Sequence, residues 1–557
     1  MKKLIPSLIC STAAAVCLGT VSAYAGYITP RVPPPANVPA IPANAPASLP
    51  TVRTVTTAHD DGPGSLRQAI AVAAPGDVVK FALRCPAAIT LTKTLVIDKD
   101  LTVLGPGPWE LTVMRSYGPH TPKFRVFEID SAAVTLAGMT IRNGTAFSGT
   151  NIHDNLGGGI LNRGSLTVSN CVVTDNRAPT TDWGTHVADP NFRFSVGFGA
   201  GIFSDTGSRL ALINSTISGN EASGAGGAVC NHYADAFVAT GCTLSGNLAE
   251  VQGGGLNFQG LTGMLQNCTL SGNATRTNGP GSAYLLITFP GETAALTLTA
   301  CTIAHNAGST NGACTVAMLD TSACTNKLLS ALFADNGGPN FFLDGNPVVI
   351  SLGHNLDSDG TSGLVNGVNS DQVGTLASPI DPKISPLQNN GGPTWTVALL
   401  PGSPALGAGA CSDALGAPLP VDQRGFPRPQ VTGCDIGAFE NQAPTLICPV
   451  AQTVPYCGPG GGAFVFLTAR VADSDGDALT VIWSVNGVSR QTNNLPATHP
   501  PRPELVSFKA FYPQGTNIVG LVVSDGKAVP MGCSTSVIVR GTKGHRILPV
   551  SAPPNEM

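Results

Sequence analysis

A repeat close to 27 residues long fills the middle of this 557-residue chain, and few folds can accommodate it. Five segments align: 170–176 (NCVVTDN), 214–220 (NSTISGN), 241–247 (GCTLSGN), 267–273 (NCTLSGN) and 300–306 (ACTIAHN). Residues 134–144 form a weaker sixth copy, and each main copy follows a run of small residues such as Gly157-Gly158-Gly159-Ile160 or Gly253-Gly254-Gly255-Leu256. The intervals from Ser215 to Cys242 and from Cys242 to Cys268 are 27 and 26 residues. That is too short for two helices and their loops, and it suits one coil of three short strands. Positions two apart on a strand share a face. Cys171, Ser215, Cys242, Cys268 and Cys301 therefore make one column, with Val173, Ile217, Leu244, Leu270 and Ile303 beside it. The intervening Val172, Thr216, Thr243, Thr269 and Thr302 suit a solvated face. Asn176, Asn220, Asn247, Asn273 and Asn306 fall at a turn, where stacked amides can bond from coil to coil and left-handed backbone is tolerated. Residues 51–385 thus read as a right-handed parallel β-helix. Stacking at about 4.8 Å gives roughly a dozen coils and ~55 Å of length.

Composition agrees. Gly is 66 and Pro 45, while charged residues are only 11%. Helical bundles need Lys and Glu on their exposed faces, and charged disordered chains need far more charge and less apolar content than the 42% found here. The net charge of −4 predicts no nucleic-acid partner. Residues 1–25 have the form of a signal peptide: Lys2 and Lys3, an apolar run, then Ala23-Tyr24-Ala25. The mature chain is expected outside the cell or on its surface, with no membrane span. Residues 26–50 are a Pro/Ala-rich linker. Ser65 and Gln68 form a capping box for a short helix whose Leu66, Ala69 and Ile70 share a face, ended by Pro75-Gly76. Such a helix would plug the N-terminal end of the coils.

These features resemble known families. The glycine run, strand and Asn resemble the repeats of bacterial polymorphic outer-membrane proteins, and Gly64-Ser65-Leu66-Arg67-Gln68-Ala69 resembles a motif of secreted β-helix proteins. Residues 386–440, with Asn389-Asn390-Gly391-Gly392-Pro393-Thr394, Asp422-Gln423-Arg424-Gly425-Phe426-Pro427-Arg428-Pro429 and Cys434-Asp435-Ile436-Gly437-Ala438-Phe439-Glu440, resemble the choice-of-anchor Q region. That resemblance implies a location C-terminal to β-helix repeats on a surface protein, and no reaction. Residues 443–542 read as an immunoglobulin-like β-sandwich, in which Asp473-Ser474-Asp475-Gly476-Asp477 and Trp483 resemble the PKD and cadherin-like modules of bacterial surface proteins. Residues 543–557 read as a disordered tail.

Few residues invite chemistry. β-Helix enzymes that cleave polysaccharides use carboxylates, calcium or basic groups on neighbouring coils, and their characteristic strings are absent. Asp98, Lys99 and Asp100, Asp175 and Arg177, and His153 and Asp154 do not recur in a column; Gly219, Gly246 and Gly272 stand where Asp175 does. The insertion at 177–198 is the candidate glycan site, through Asp182, Trp183, His186, Asp189, Phe192 and Arg193: aromatic faces stack on sugars and carboxylates bind their hydroxyls. An aromatic loop packed on the solenoid is the competing reading. Asp473, Asp475 and Asp477 could hold calcium, the one ion expected, although Gly476 and Ser484 depart from an EF-hand and a tight Asp-Gly turn competes. The cysteine column reads as small, reduced core residues. Export makes disulfides feasible, and the expected pairs are Cys411–Cys434 and Cys448–Cys533, with Cys314–Cys324 a third. The expected function is that of an exported, non-catalytic structural or adhesin-type protein that binds glycan or another surface component. A polysaccharide lyase or glycoside hydrolase acting on a polyuronate is the alternative, to be favoured by a charged cluster on consecutive coils.

Overall fold

The computed structural model describes residues 50–118, 121–146, 155–179, 197–276, 279–288, 291–307, 314–319, 324–429, 433–456, 461–498 and 501–541. The signal segment, almost all of the Pro/Ala-rich linker and the C-terminal tail fall outside them. So do His153, Asp154 and the whole proposed glycan set, Asp182, Trp183, His186, Asp189, Phe192 and Arg193. The chain divides into two compact units, one ending at Glu440 and the other beginning at Asn441.

The first unit is a right-handed parallel β-helix. Three parallel sheets form its walls. The first has eleven strands, from Val52–Val55 to Val348–Gly353; the second has nine, from Leu95–Ile97 to Phe341–Asp344; the third has eleven, from Ala87–Leu91 to Gln372–Val373. A coil visits the second sheet, then the first, then the third: Ile202–Ser204, then Arg209–Ile213, then Thr216–Ser218. Register is unbroken through the repeat, with Ile217 over Val173 and under Leu244, then Leu270 and Ile303. Leu66, Ala69 and Ile70 of the helix Leu66–Val72 are buried in the same core at the N-terminal end. Ser65 is its N-cap, with Oγ accepting from Gln68 N at 3.2 Å, and Gln68 Oε1 reaches back to Gly64 N at 2.8 Å.

The Asn file is buried and continuous. Asn176 Nδ2 donates to Asn220 Oδ1 (3.0 Å), Asn220 Nδ2 to Asn247 Oδ1 (2.9 Å), Asn247 Nδ2 to Asn273 Oδ1 (2.9 Å) and Asn273 Nδ2 to Asn306 Oδ1 (3.0 Å). Each Nδ2 also donates to a carbonyl of the preceding coil, such as Ile217 O for Asn247. The left-handed residues are not these asparagines. They sit one position earlier, at Asp175 (φ 54°), Gly219, Gly246, Gly272 and His305 (φ 58°), and again before the cysteine column at Asn170, Asn214, Gly241, Asn267 and Ala300. The second set accounts for the column. The bend turns a carbonyl two residues back inward, and a small donor satisfies it: Ser215 Oγ to Ile213 O (2.8 Å), and Sγ of Cys242, Cys268 and Cys301 to Thr240, Gln266 and Thr299 O at 3.3 Å. Burial pushes the Cys171 thiol up to about 11 and those of Cys242 and Cys301 well up as well, which keeps them protonated and inert. The glycine runs are dictated by close approach: a Cβ on Gly254 would strike the carbonyl oxygens of Ala274 and Ser282.

One expectation fails. Thr243, Thr269 and Thr302 are not solvated; they are 0–2% exposed. Residues 384–440 return along the outside of the third sheet and cover them. Gln423 Oε1 accepts from Thr269 Oγ1 (2.6 Å), and its Nε2 donates to Thr243 Oγ1 (2.8 Å). Thr243 Oγ1 also donates to Trp395 O (2.6 Å), and Ala438 N to Thr302 Oγ1 (2.9 Å). Ile384, Val397, Leu399, Ile436 and Phe439 pack on Ala304, Leu332, Ala334 and Leu356 of that sheet. The returning segment is held by two buried arginines. Arg424 bonds Asp422 (2.8 Å), Asn390 O (3.2 Å) and Glu440 O (2.6 Å) and lies on the Phe439 ring at 3.8 Å. Arg428 bonds Glu440 (2.8 Å) and Gly437 O (2.7 Å). A Cys411–Cys434 disulfide closes the same segment. Cys314 and Cys324 are both buried, with Cys324 Sγ turned to Leu286 O at 3.8 Å.

The second unit is a β-sandwich. A three-stranded sheet (Thr445–Ile447, Gly462–Ala472, Glu504–Pro513) faces a five-stranded one (Gln452–Tyr456, Met531–Gly541, Gly515–Ser524, Leu479–Val485, Val488–Leu495). Trp483 is fully buried between them, stacked on Phe508 at 5.3 Å. Cys448 and Cys533 form its disulfide.

Candidate functional site

In the second unit the turn after strand Gly462–Ala472 gathers acids. Ligand oxygens of Asp473, Asp475 and Asp477 lie within 4.8 Å of one another. The Asp-Gly turn does form, with Gly476 at φ 74° and its N–H on Asp473 O (3.3 Å). Most of the carboxylate oxygens are occupied. Asp473 Oδ1 accepts from Asp475 N (2.8 Å) and Asp477 N (3.2 Å), Asp475 Oδ2 from Gln442 N (2.6 Å), and Asp477 takes the Lys527 ammonium at 2.7 and 2.8 Å. Asp525 Oδ1 accepts from Lys527 N and Ala528 N, both at 2.9 Å. Asp473 Oδ2 is different: it is buried with no hydrogen-bond partner, on a residue only 4% exposed. Burial, then the neighbouring Asp477 and Asp525 carboxylates, push the Asp473 carboxyl up to about 6. A buried hard oxygen that resists ionisation among further carboxylates fits an oxygen-seeking divalent ion. Asp473, Asp475 and Asp477 are the residues that would hold calcium, which would compete with Lys527 for Asp477.

The sign of the pH dependence follows. The folded value of Asp473 lies above that of an unfolded Asp, near 3.9. Without metal, this group costs stability as pH rises from about 4 through about 6. Calcium binds the ionised form. Melts of the full chain at about 10 mM calcium should show ~2 kcal/mol of stabilisation at pH 7.5, fading as pH falls through about 6. Asp473→Asn should abolish the gain and raise the metal-free stability. An equal calcium effect at pH 4.5 and pH 7.5 would contradict the assignment.

The β-helix carries a second charged group, which motif reasoning missed. Three residues beyond the start of successive strands in the second sheet stand Arg163, Asp205, His232 and Gln259, an outward file on neighbouring coils. Arg163 reaches Glu128 (2.8 Å) and Asp205 (3.7 Å), and Glu128 also holds Arg125 (2.7 Å). His232 Nδ1 lies 3.6 Å from Asp205 and its ring stands 4.7 Å from the Tyr233 ring, edge to face. The column lies four residues past the last small residue of each run, Gly159, Gly201, Ala228 and Gly255. These charges engage one another and staple coils together. Both ring nitrogens of His232 and the Tyr233 hydroxyl are shielded from solvent.

Of the 177–198 insertion, Arg177, Ala178, Pro179, Gly197 and Phe198 are described. Phe198 packs against the cluster of Leu156, Leu161, Phe203 and Cys230. Asp175 pairs with Arg142 at 2.8 Å, and both are about half exposed.

No family model matches the chain, and no curated protein does. Among solved structures, the crystal structure of pectate lyase Pel9A is similar at 13% identity and a TM-score of 0.39, over 70% of this chain and 97% of that one. The fibronectin(III)-like modules of Clostridium thermocellum CbhA are similar over 18% of this chain and 100% of their own, at 18% identity and a TM-score of 0.14. Neither brings an activity to this chain. Among the described residues, no helix is long and apolar enough to cross a membrane.

Proposed function

We propose that this chain is an exported, non-catalytic structural or adhesin-type protein, in which a rigid β-helix carries a calcium-responsive sandwich module and binds glycan or another surface component. The observation that carries the reading is where the polar groups go. The Asn file inside the coils, the Thr column beneath the returning segment and the Arg424 and Arg428 networks within that segment are all buried and stiffen the solenoid. The acidic cluster with its unpartnered Asp473 oxygen belongs to the other unit. The resemblance of residues 386–440 to a choice-of-anchor Q region, the PKD- and cadherin-like motif and the signal segment support export and a surface location. A glycan array read with and without calcium, paired with a uronic-acid release assay, tests this. Retention of at least one glycan with no release of unsaturated or reducing uronate is expected. Turnover of any polyuronate would overturn it.

A second reading, a polyuronate-cleaving enzyme, has one observation in its favour: Glu128, Arg163, Asp205 and His232 stand on consecutive coils. Their mutual pairing and the shielding of the His232 ring favour a structural staple instead.

A further inference from the structure

The outer face of the three-stranded sheet breaks the rule that a solvated strand face is polar. Along Gly462–Ala472, Val465, Leu467 and Ala469 point into the sandwich, while Phe464 and Phe466 point out, 70% and 57% exposed. On the paired strand Glu504–Pro513, Phe511 (48% exposed) and Lys509 point out beside them. Register sets Phe464 opposite Phe511, Phe466 opposite Lys509 and Arg470 opposite Leu505. The Phe464 and Phe511 rings meet edge to face at 5.4 Å, and the Lys509 ammonium lies 5.8 Å from the Phe464 centroid. Three phenylalanines left in water on one sheet face mark a surface made to be covered.

The charges say by what. The outward positions from Phe464 to Arg470 and from Leu505 to Phe511 hold two cations, Arg470 and Lys509, and no carboxylate, on a chain whose net charge is −4. Glu504, the nearest acid along the strand, alternates to the other side and pairs with Arg502 at 2.9 Å. A second copy of the same face would bring four cations together with no anion, which like-charge repulsion opposes. A ligand with flat C–H faces and regularly spaced carboxylates satisfies both demands: rings cover the phenylalanines while anions meet the cations. We propose that this face binds an acidic polysaccharide, a polyuronate, along the strand direction from Phe464 to Arg470. The six residue steps from Phe464 to Arg470 span ~20 Å, room for several sugar units.

The proposal rests on the glycan-binding reading above and names its ligand class and site. Affinity electrophoresis of the full secreted chain in gels containing polygalacturonate, alginate or neutral dextran tests it, with two double variants, Phe464→Ser/Phe511→Ser and Lys509→Gln/Arg470→Gln. Wild type should be retarded by both polyuronates and not by dextran, less so as salt rises. Each double variant should weaken the interaction at least about tenfold with its melting temperature unchanged. Retardation of both variants equal to wild type would overturn the site and leave glycan binding standing. Retardation by dextran alone would overturn the acidic ligand. Concentration-dependent dimerisation that is lost in Phe464→Ser/Phe511→Ser would assign the face to a second copy and overturn the proposal. No retention by any glycan here or on the array would remove both the proposal and the functional reading.

Discussion

Arg424→Ala is expected to destabilise the first unit by about 3–5 kcal/mol, read as a shift in its urea unfolding midpoint. The guanidinium is fully buried and bonds Asp422, the carbonyls of Asn390 and Glu440, and two aromatic faces. Removing it takes from Asp422 its cation partner in a dry site and strands two carbonyls. Arg424→Lys should recover only part of the loss, because an ammonium offers no planar fork and stacks less well. The damage should spread to the third sheet. Gln423, the next residue, ties the returning segment to Thr243 and Thr269. Amides of Thr243–Ser245 and Thr269–Ser271 should therefore exchange faster as the cover loosens, while those of Leu95–Ile97 stay protected. Glu440 adds a pH signature. Burial and the Asp435 and Asp422 carboxylates push it up to about 7 against the pull of Arg428. Its folded value thus lies above an unfolded Glu, so this group lowers stability as pH rises from about 4 through about 7. An Arg424→Ala effect below about 1 kcal/mol would mean that the returning segment does not depend on its buried ions.

Asn247→Ala should cost a comparable ~3–5 kcal/mol locally. Asn247 Oδ1 accepts from both N and Nδ2 of Asn220 (3.1 and 2.9 Å), and its Nδ2 donates to Ile217 O (2.9 Å) and Asn273 Oδ1 (2.9 Å). Alanine therefore strands several buried polar groups at once, in two coils. Asn247→Asp should be no better, since a carboxylate oxygen would face the Ile217 carbonyl in a site with no cation. Native-state hydrogen exchange should show opening of the coils on either side of the substitution and little change near the N-terminal helix. Ser218→Ala, on the half-buried outer side of the preceding coil, is the control and should change stability by less than about 1 kcal/mol. Equal effects of Asn247→Ala and Ser218→Ala would refute the buried Asn file as a source of coil cohesion.

The winding was legible because the repeat writes the same column five times; the inward Val173, Ile217, Leu244, Leu270 and Ile303 follow from strand alternation alone. The position of the left-handed bends was legible only to within one residue, since Asn is tolerated both there and in the ladder. The covered Thr column was missed because Thr suits a solvated strand and a buried, hydrogen-bonded one equally. A gradient along the chain did carry the signal: the outward pairs run Thr216 and Ser218, Thr243 and Ser245, Thr269 and Ser271, Thr302 and Ala304, then Leu332 and Ala334. Polar outer residues give way to apolar ones where residues 384–440 settle. The charged file Arg163, Asp205, His232 escaped because its members are chemically unlike, so no repeat pattern joins them. The aromatic face was hidden for another reason: phenylalanine on alternate strand positions reads as core, and only the sandwich shows which side of Gly462–Ala472 is inside.

The winding itself is the central claim. Thr135, Thr167, Ala211, Val238, Met264, Thr297, Lys327 and Ile350 form one column on the first sheet, one residue per coil. Nitroxides on non-natural residues at position 135 and at 297, 327 or 350 stand five, six or seven coils apart. Pulsed electron resonance should give narrow distances near 24, 29 and 34 Å before the label offset, rising by about 4.8 Å per coil whatever the length of chain between them. Broad distributions, or increments that follow the number of intervening residues rather than the number of coils, would contradict it.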